Sequence, residues 1–86
     1  MQEDKKLFVG GLPWRMTNEE LKEMFEEVGE VTDAFIPRDR ETGRSRGFGF
    51  VEYTTHEAAQ AAIEKFDQMD YDGRALNVNF AQKKGE

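Results

Sequence analysis

Residues 46–53 read Arg-Gly-Phe-Gly-Phe-Val-Glu-Tyr, and this octet constrains the fold more than any other part of the chain. Aromatic and β-branched residues of this kind favour a strand. On a strand, successive side chains point to opposite faces. Phe48, Phe50 and Glu52 then share one face, and Gly47, Gly49, Val51 and Tyr53 share the other. A buried face takes aromatics but rejects an unpaired carboxylate. The face carrying Glu52 is therefore wet at its rim, and two large rings stand on it. A fold for this chain has to leave one face of a sheet uncovered.

The neighbouring segments supply the rest of the sheet and a layer for its other face. "KKLFVGGL" reads as a short strand with Leu7 and Val9 on one side and Phe8 on the other, ended by Pro13. "TNEELKEMFEEVG" has helical start and stop signals. Thr17 is the N-cap, Glu20 completes a capping box, and Gly29 suits a left-handed position after the last turn. Leu21, Met24, Phe25 and Val28 form the apolar stripe. "EVTDAFIPR", residues 30–38, is a second strand closed by Pro37. Its Val31 and Ile36 have opposite parity, so both reach the core only if the strand bulges or begins irregularly. The polar loop "RDRETGRSR" leads into the octet. "TTHEAAQAAIEKF" is a second helix, with Thr54 and Glu57 spaced as a capping box and Ala59, Ala62, Ile63 and Phe66 as the stripe. "DQMDYDGRA" is a turn-rich connection. "ALNVNFA" alternates strictly, with Leu76, Val78 and Phe80 on one face and Asn77 and Asn79 on the other.

The order strand, helix, strand, strand, helix, strand predicts an α+β, ferredoxin-like βαββαβ sandwich. A four-stranded antiparallel sheet carries both helices on one face. Alternation assigns Leu7, Val9, Ala34, Ile36, Val51, Tyr53, Leu76, Val78 and Phe80 to the helix side. Phe8, Phe35, Phe48, Phe50, Glu52, Asn77 and Asn79 fall on the open side. Phe25, Phe66 and Phe80 are enough aromatic volume for the small core of a chain this size. Gly49 faces the core and lets a helix come close.

A contiguous aromatic patch with a polar rim marks a binding surface. Unpaired bases stack on such rings at about 1–3 kcal/mol each. Arg46 opens the third strand, Arg44 precedes it, and both are placed to meet phosphates at the edge of the patch. Asn77 and Asn79 carry both donors and acceptors for base edges. Lys83, in the polar tail, adds charge. The surface reads as a stacking platform for a single strand.

Charge alone argues the other way. The chain has 12 basic and 18 acidic residues, a net −6, whereas nucleic acid favours basic surfaces. The charges are segregated, however. Glu19, Glu20, Glu23, Glu26, Glu27 and Glu30 crowd the first helix, and Arg38, Arg40, Arg44 and Arg46 crowd one loop. Patches further apart than the Debye length of about 8 Å act almost independently. Arg38 and Arg40 read equally well as solvated charge paired with Asp39 and Glu41.

At these residues the chain resembles the RNA recognition motif family. That family's octamer runs Lys or Arg, Gly, Phe or Tyr, Gly or Ala, Phe, Val, any residue, Phe or Tyr. Residues 46–53 match it at every specified position. "LFVGGL", residues 7–12, looks like the family's hexamer on the first strand. "LFVGGLPW" and "TGRSRGFGFV" are especially similar to modules of the heterogeneous nuclear ribonucleoproteins, and the same motifs occur in small bacterial proteins of one such domain. The resemblance covers residues 6–82, with 1–5 and 83–86 as flexible tails. It implies that Phe8, Phe48 and Phe50 stack on bases and that Arg46 contacts phosphate. It also implies the strand order fourth, first, third, second. Phe35 goes beyond the minimal motif and extends the surface.

The expected partner is single-stranded RNA, with single-stranded DNA as the alternative, bound by a monomer. A protein-docking use of the open face or the acidic helix is the competing reading. No nucleophile, base and orienting group assemble, so no enzyme is expected, nor any cofactor. With no cysteine and a lone His56, read as a surface residue, no metal site is expected. Trp14 is expected to pack at the end of the sheet. No apolar run reaches the ~18 residues of a membrane span, and "MQEDKK" is no secretory leader. The expectation is an intracellular protein, cytoplasmic by preference and nuclear as the alternative.

Overall fold

A computed structural model describes residues 5–43 and 47–81. Chain order is β1 (Lys6–Gly10), α1 (Asn18–Phe25), β2 (Val31–Phe35), β3 (Phe48–Tyr53), α2 (His56–Phe66), β4 (Asp70–Tyr71), β5 (Arg74–Ala75) and β6 (Asn77–Phe80). Strands β2, β3, β1 and β6 lie side by side in that order, all antiparallel, which is the expected order read from the other edge. Both helices cover the same face of this sheet. β4 and β5 form a separate hairpin.

The core is the covered face. Leu7, Val9, Val51, Leu76 and Val78 from the sheet region meet Leu21, Phe25, Ala59, Ala62 and Phe66 from the helices. The Phe25 and Phe66 rings sit 4.3 Å apart. Phe80, expected inside with them, is only half-buried and stacks on His56 at 5.3 Å. β6 is an edge strand, and His56, the first residue of α2, covers the ring there. His56 is accordingly half-buried rather than a free surface side chain. Tyr53 is buried and donates its hydroxyl to the Phe25 carbonyl at 2.6 Å. Burial pushes its phenol up from 10.

Local signals act largely as read. Thr17 caps α1 with the full capping box. The pairing of β2 with β3 shifts register between Val31 and Asp33, and Val31 and Ile36 are both buried. The extra residue restores the parity that strict alternation denies. Two expectations change. The cap of α2 is Thr55, whose side chain accepts from the Ala58 backbone, so the helix starts one residue later than the Thr54–Glu57 box placed it. Gly29 is not among the residues with positive φ. A Cβ there would strike the Cβ of Ala58, so the glycine admits the loop against α2.

Candidate nucleic-acid interface

The register of the sheet assembles the open face. Phe8 lies opposite Phe50 on one side and Asn79 on the other, and Phe50 lies opposite Phe35. Phe35, Phe50, Phe8 and Asn79 therefore form one row across all four strands. A second row, one pleat along, is Phe48, Gly10 and Asn77. A third row, on the opposite side of the first, is Asp33, Glu52 and Lys6.

Three rings make a compact cluster. Phe8 is 5.5 Å from Phe48 and 5.9 Å from Phe50, and Phe48 and Phe50 are 5.9 Å apart and nearly perpendicular. These separations suit tilted and edge-to-face aromatic pairs, which hold each ring at a defined angle. The three rings are half-buried by one another, while Phe35 stands 51% exposed at the end of the row. Asn77 and Asn79 are exposed on the same face. The rings leave their faces available to a flat ligand and need no part of the core. Glu52 is half-buried and shares its row with Asp33 and Lys6, as a wet rim permits.

Two residues of this surface escaped the sequence reading. Lys6 places its ammonium 5.3 Å from the centre of the Phe50 ring, a cation–π contact. Its parity with Phe8 was the available signal. Gly10 gives Phe8 its seat: a Cβ at residue 10 would lie 3.2 Å from Phe8 Cε2. Gly49, on the covered side, behaves as read, with Leu21, Ile36 and the Phe35 carbonyl crowding the space a side chain would take.

The remaining expected residues divide. Arg44, Arg46 and Lys83 lie outside the described residues. Arg38 is exposed, and its guanidinium donates to the Met16 carbonyl at 3.0 Å, tying the end of β2 to the segment before α1. Trp14 does not pack at the end of the sheet; it is 63% exposed. Pro13 and the turn after β1 carry it past the last strand residue, to a groove that it lines together with Tyr71, Asp72 and Arg74. Among the described residues no His, Asp or Glu cluster could hold a metal ion. No helix among them is long and apolar enough to cross a membrane.

A family model described as RNA recognition motif matches residues 7–77. The chain is 51% identical over 76 residues to glycine-rich RNA-binding protein 3, mitochondrial, of Arabidopsis thaliana, covering 88% of this chain and 25% of that protein. It is 48% identical over 79 residues to glycine-rich RNA-binding protein 4, mitochondrial, of the same plant, covering 92% and 58%. The chain thus spans between a quarter and somewhat over half the length of these relatives. The solved SXL-lethal protein/RNA complex superposes with a TM-score of 0.90 at 34% identity, covering 96% of this chain and 50% of that one.

Proposed function

The chain belongs to the RNA recognition motif family, and from that membership we propose that it binds single-stranded RNA across the open face of its sheet. The family is one of RNA-binding modules rather than enzymes. Bases stack on Phe8, Phe48 and Phe50, and Phe35 extends the row. Asn77 and Asn79 read base edges, while Arg44, Arg46 and Lys83 meet phosphates at the margin. Lys6 adds a cation beside Phe50.

The ring cluster carries this reading. A small domain gains stability by burying aromatics, yet three rings stand together within 5.9 Å on the face that no helix covers. Stacking on two of them is worth about 2–6 kcal/mol at the usual value per base. The test is Phe48→Ala with Phe50→Ala, titrated with a preferred oligonucleotide selected from a random RNA pool. A loss of about 30-fold or more is expected, with the melting temperature little changed because neither ring belongs to the core. Wild-type affinity in the double variant refutes the proposal. DNA of the same sequence separates the alternative ligand, since only RNA offers a 2′-hydroxyl.

A further inference from the structure

Gly10 is the last residue of β1 and the centre of the second row, opposite Phe48 on β3 and Asn77 on β6. It shares parity with Phe8, so the hydrogen in place of its side chain points to the face that no helix covers. Nothing from the helix layer can shield a residue there, yet Gly10 is buried. An atom in the place of its missing Cβ would meet Phe8 Cε2 at 3.2 Å, Phe8 Cζ at 3.5 Å and Asn77 Cβ at 3.6 Å. The Phe8 ring therefore lies over residue 10, two residues along its own strand.

The ring separations carry the same lean. Phe8 pairs directly with Phe50, and Phe48 is its diagonal neighbour on β3. Directly opposed side chains have Cβ atoms about 4.5–5.5 Å apart, and diagonal neighbours are up to about 7–8 Å apart. The ring centres reverse this order: Phe8 is 5.5 Å from Phe48 and 5.9 Å from Phe50. Side chains on a strand lean along it, and the Phe8 ring uses that freedom to reach its diagonal neighbour. The angles follow from the lean. Phe8 is tilted by 32° from Phe48 but by 66° from Phe50. Phe8 and Phe48 thus turn their faces in similar directions, as adjoining seats for two bases do.

A methyl group at residue 10 would take the space under this ring. Its 3.2 Å approach to Phe8 Cε2 is inside the optimum of about 3.5–4.0 Å for two carbons, so one of the two gives way. The methyl would be fixed to a strand paired on both sides, whereas the ring is the far end of a half-buried side chain. The ring moves. Phe8 is not part of the core, so its movement leaves the fold intact. Gly10 is not among the residues with positive φ, so alanine suits the backbone and loses less chain entropy on folding than glycine does. Gly49, the partner of Val9 on the next strand, is the contrasting case. The atoms around its empty position are a backbone carbonyl and two buried side chains. One glycine serves the covered face and the other the open face.

We propose that Gly10 is a positioning residue of the platform: by lacking a side chain it lets the Phe8 ring lie beside Phe48, and so presets the pair of faces on which neighbouring bases stack. The inference rests on the platform reading above and adds a residue that acts through Phe8 rather than on the ligand. The test is Gly10→Ala and Phe8→Ala, singly and together, titrated by fluorescence anisotropy with the RNA oligonucleotide selected from the random pool. Gly10→Ala is expected to weaken binding about 2- to 12-fold, the cost of holding one ring about 30° from its resting rotamer. Its melting temperature is expected to equal or exceed that of the wild type. In the Phe8→Ala background the same substitution is expected to change affinity by less than about two-fold, since no ring remains to be displaced. Proton NMR of the free Gly10→Ala variant is expected to show weakened contacts between the Phe8 and Phe48 rings.

Wild-type affinity in Gly10→Ala, while Phe8→Ala has lost binding, overturns the positioning role and leaves the platform standing. An equal loss from Gly10→Ala with and without the Phe8 ring overturns it too, because the methyl group would then act on the ligand directly. Unchanged contacts between the Phe8 and Phe48 rings have the same force. So does a lowered melting temperature or a failure to fold, either of which marks a residue of the fold rather than of the platform. If Phe8→Ala itself keeps wild-type affinity, the platform reading fails at Phe8, and the role of Gly10 falls with it.

Discussion

Gly49 stands between two platform rings in sequence but faces the helix layer, and Gly49→Ala measures how closely that layer approaches. An alanine Cβ would lie 2.9 Å from the Phe35 carbonyl oxygen, 3.0 Å from Ile36 Cγ1 and 3.1 Å from Leu21 Cδ2. The carbonyl is fixed in β2 beside its partner strand. Leu21 and Ile36 are themselves buried and have no room to swing away. Overpacking of this kind costs about 1–3 kcal/mol. Alanine recovers about 0.5–1 kcal/mol because it loses less backbone entropy than glycine on folding. The net is a destabilisation of about 0–2.5 kcal/mol, centred near 1 kcal/mol. At about 4–8 °C per kcal/mol for a domain of this size, the centre of that range lowers the melting temperature by about 4–8 °C. Far-ultraviolet circular dichroism during heating, fitted as a two-state transition, is the assay. The family octamer admits glycine or alanine at this position, so the cost belongs to the packing of β2, Ile36 and α1 around Gly49 in this particular chain. A variant that melts with or above the wild type refutes the claim that the two layers are in tight contact here.

Two further predictions concern the same core. Burial raises the Tyr53 phenol above 10, so the folded state keeps a proton that the unfolded chain releases near pH 10. Stability from this group is full below pH 10 and falls as pH rises beyond it, by up to about 1.4 kcal/mol per pH unit. Urea unfolding at several pH values should show a steeper alkaline decline in wild type than in Tyr53→Phe; equal slopes would sink the assignment. At neutral pH, Tyr53→Phe itself costs about 1–3 kcal/mol, because the Phe25 carbonyl loses its buried partner. Gly29→Ala drives a methyl group into Ala58 and costs about 1–3 kcal/mol. Ala58→Gly alone costs about 1 kcal/mol of helix propensity. In the double variant the two costs should combine to less than their sum, and strict additivity in a double-mutant cycle would show that the contact is absent.

The features legible in the sequence are those set by short-range periodicity. Alternation alone sorted Phe8, Phe48, Phe50, Asn77 and Asn79 onto one face, because one face of each strand is buried and register is then strongly specified. The clash of parity between Val31 and Ile36 even announced the bulge. What escaped depends on contacts between distant segments. The β4–β5 hairpin has two residues per strand, too few for any alternation, and only the Asp72–Gly73 turn signals it. Gly29 looked like a helix stop because glycine serves both left-handed turns and close approaches, and only the position of Ala58 separates the two uses. Thr54 and Thr55 are both good caps; the geometry of the turn after β3 selects the second. Trp14 was expected against the sheet because it is large and apolar. The hairpin that stands across the groove from it could not be placed from local pattern.

The row Phe35, Phe50, Phe8 and Asn79 also has a mechanical meaning. These residues come from β2, β3, β1 and β6, strands that the chain lays down in a quite different order from the one in which they lie. Within the sheet β2 pairs with β3 alone, and β6 with β1 alone. A single polymer lying along the row would grip both margins and both centre strands at once. Because it would bind only when all four are aligned, its free energy would be added to the cooperativity of the sheet itself. Such a ligand would act as a fifth element, running across the strands and fastening those with the fewest neighbours.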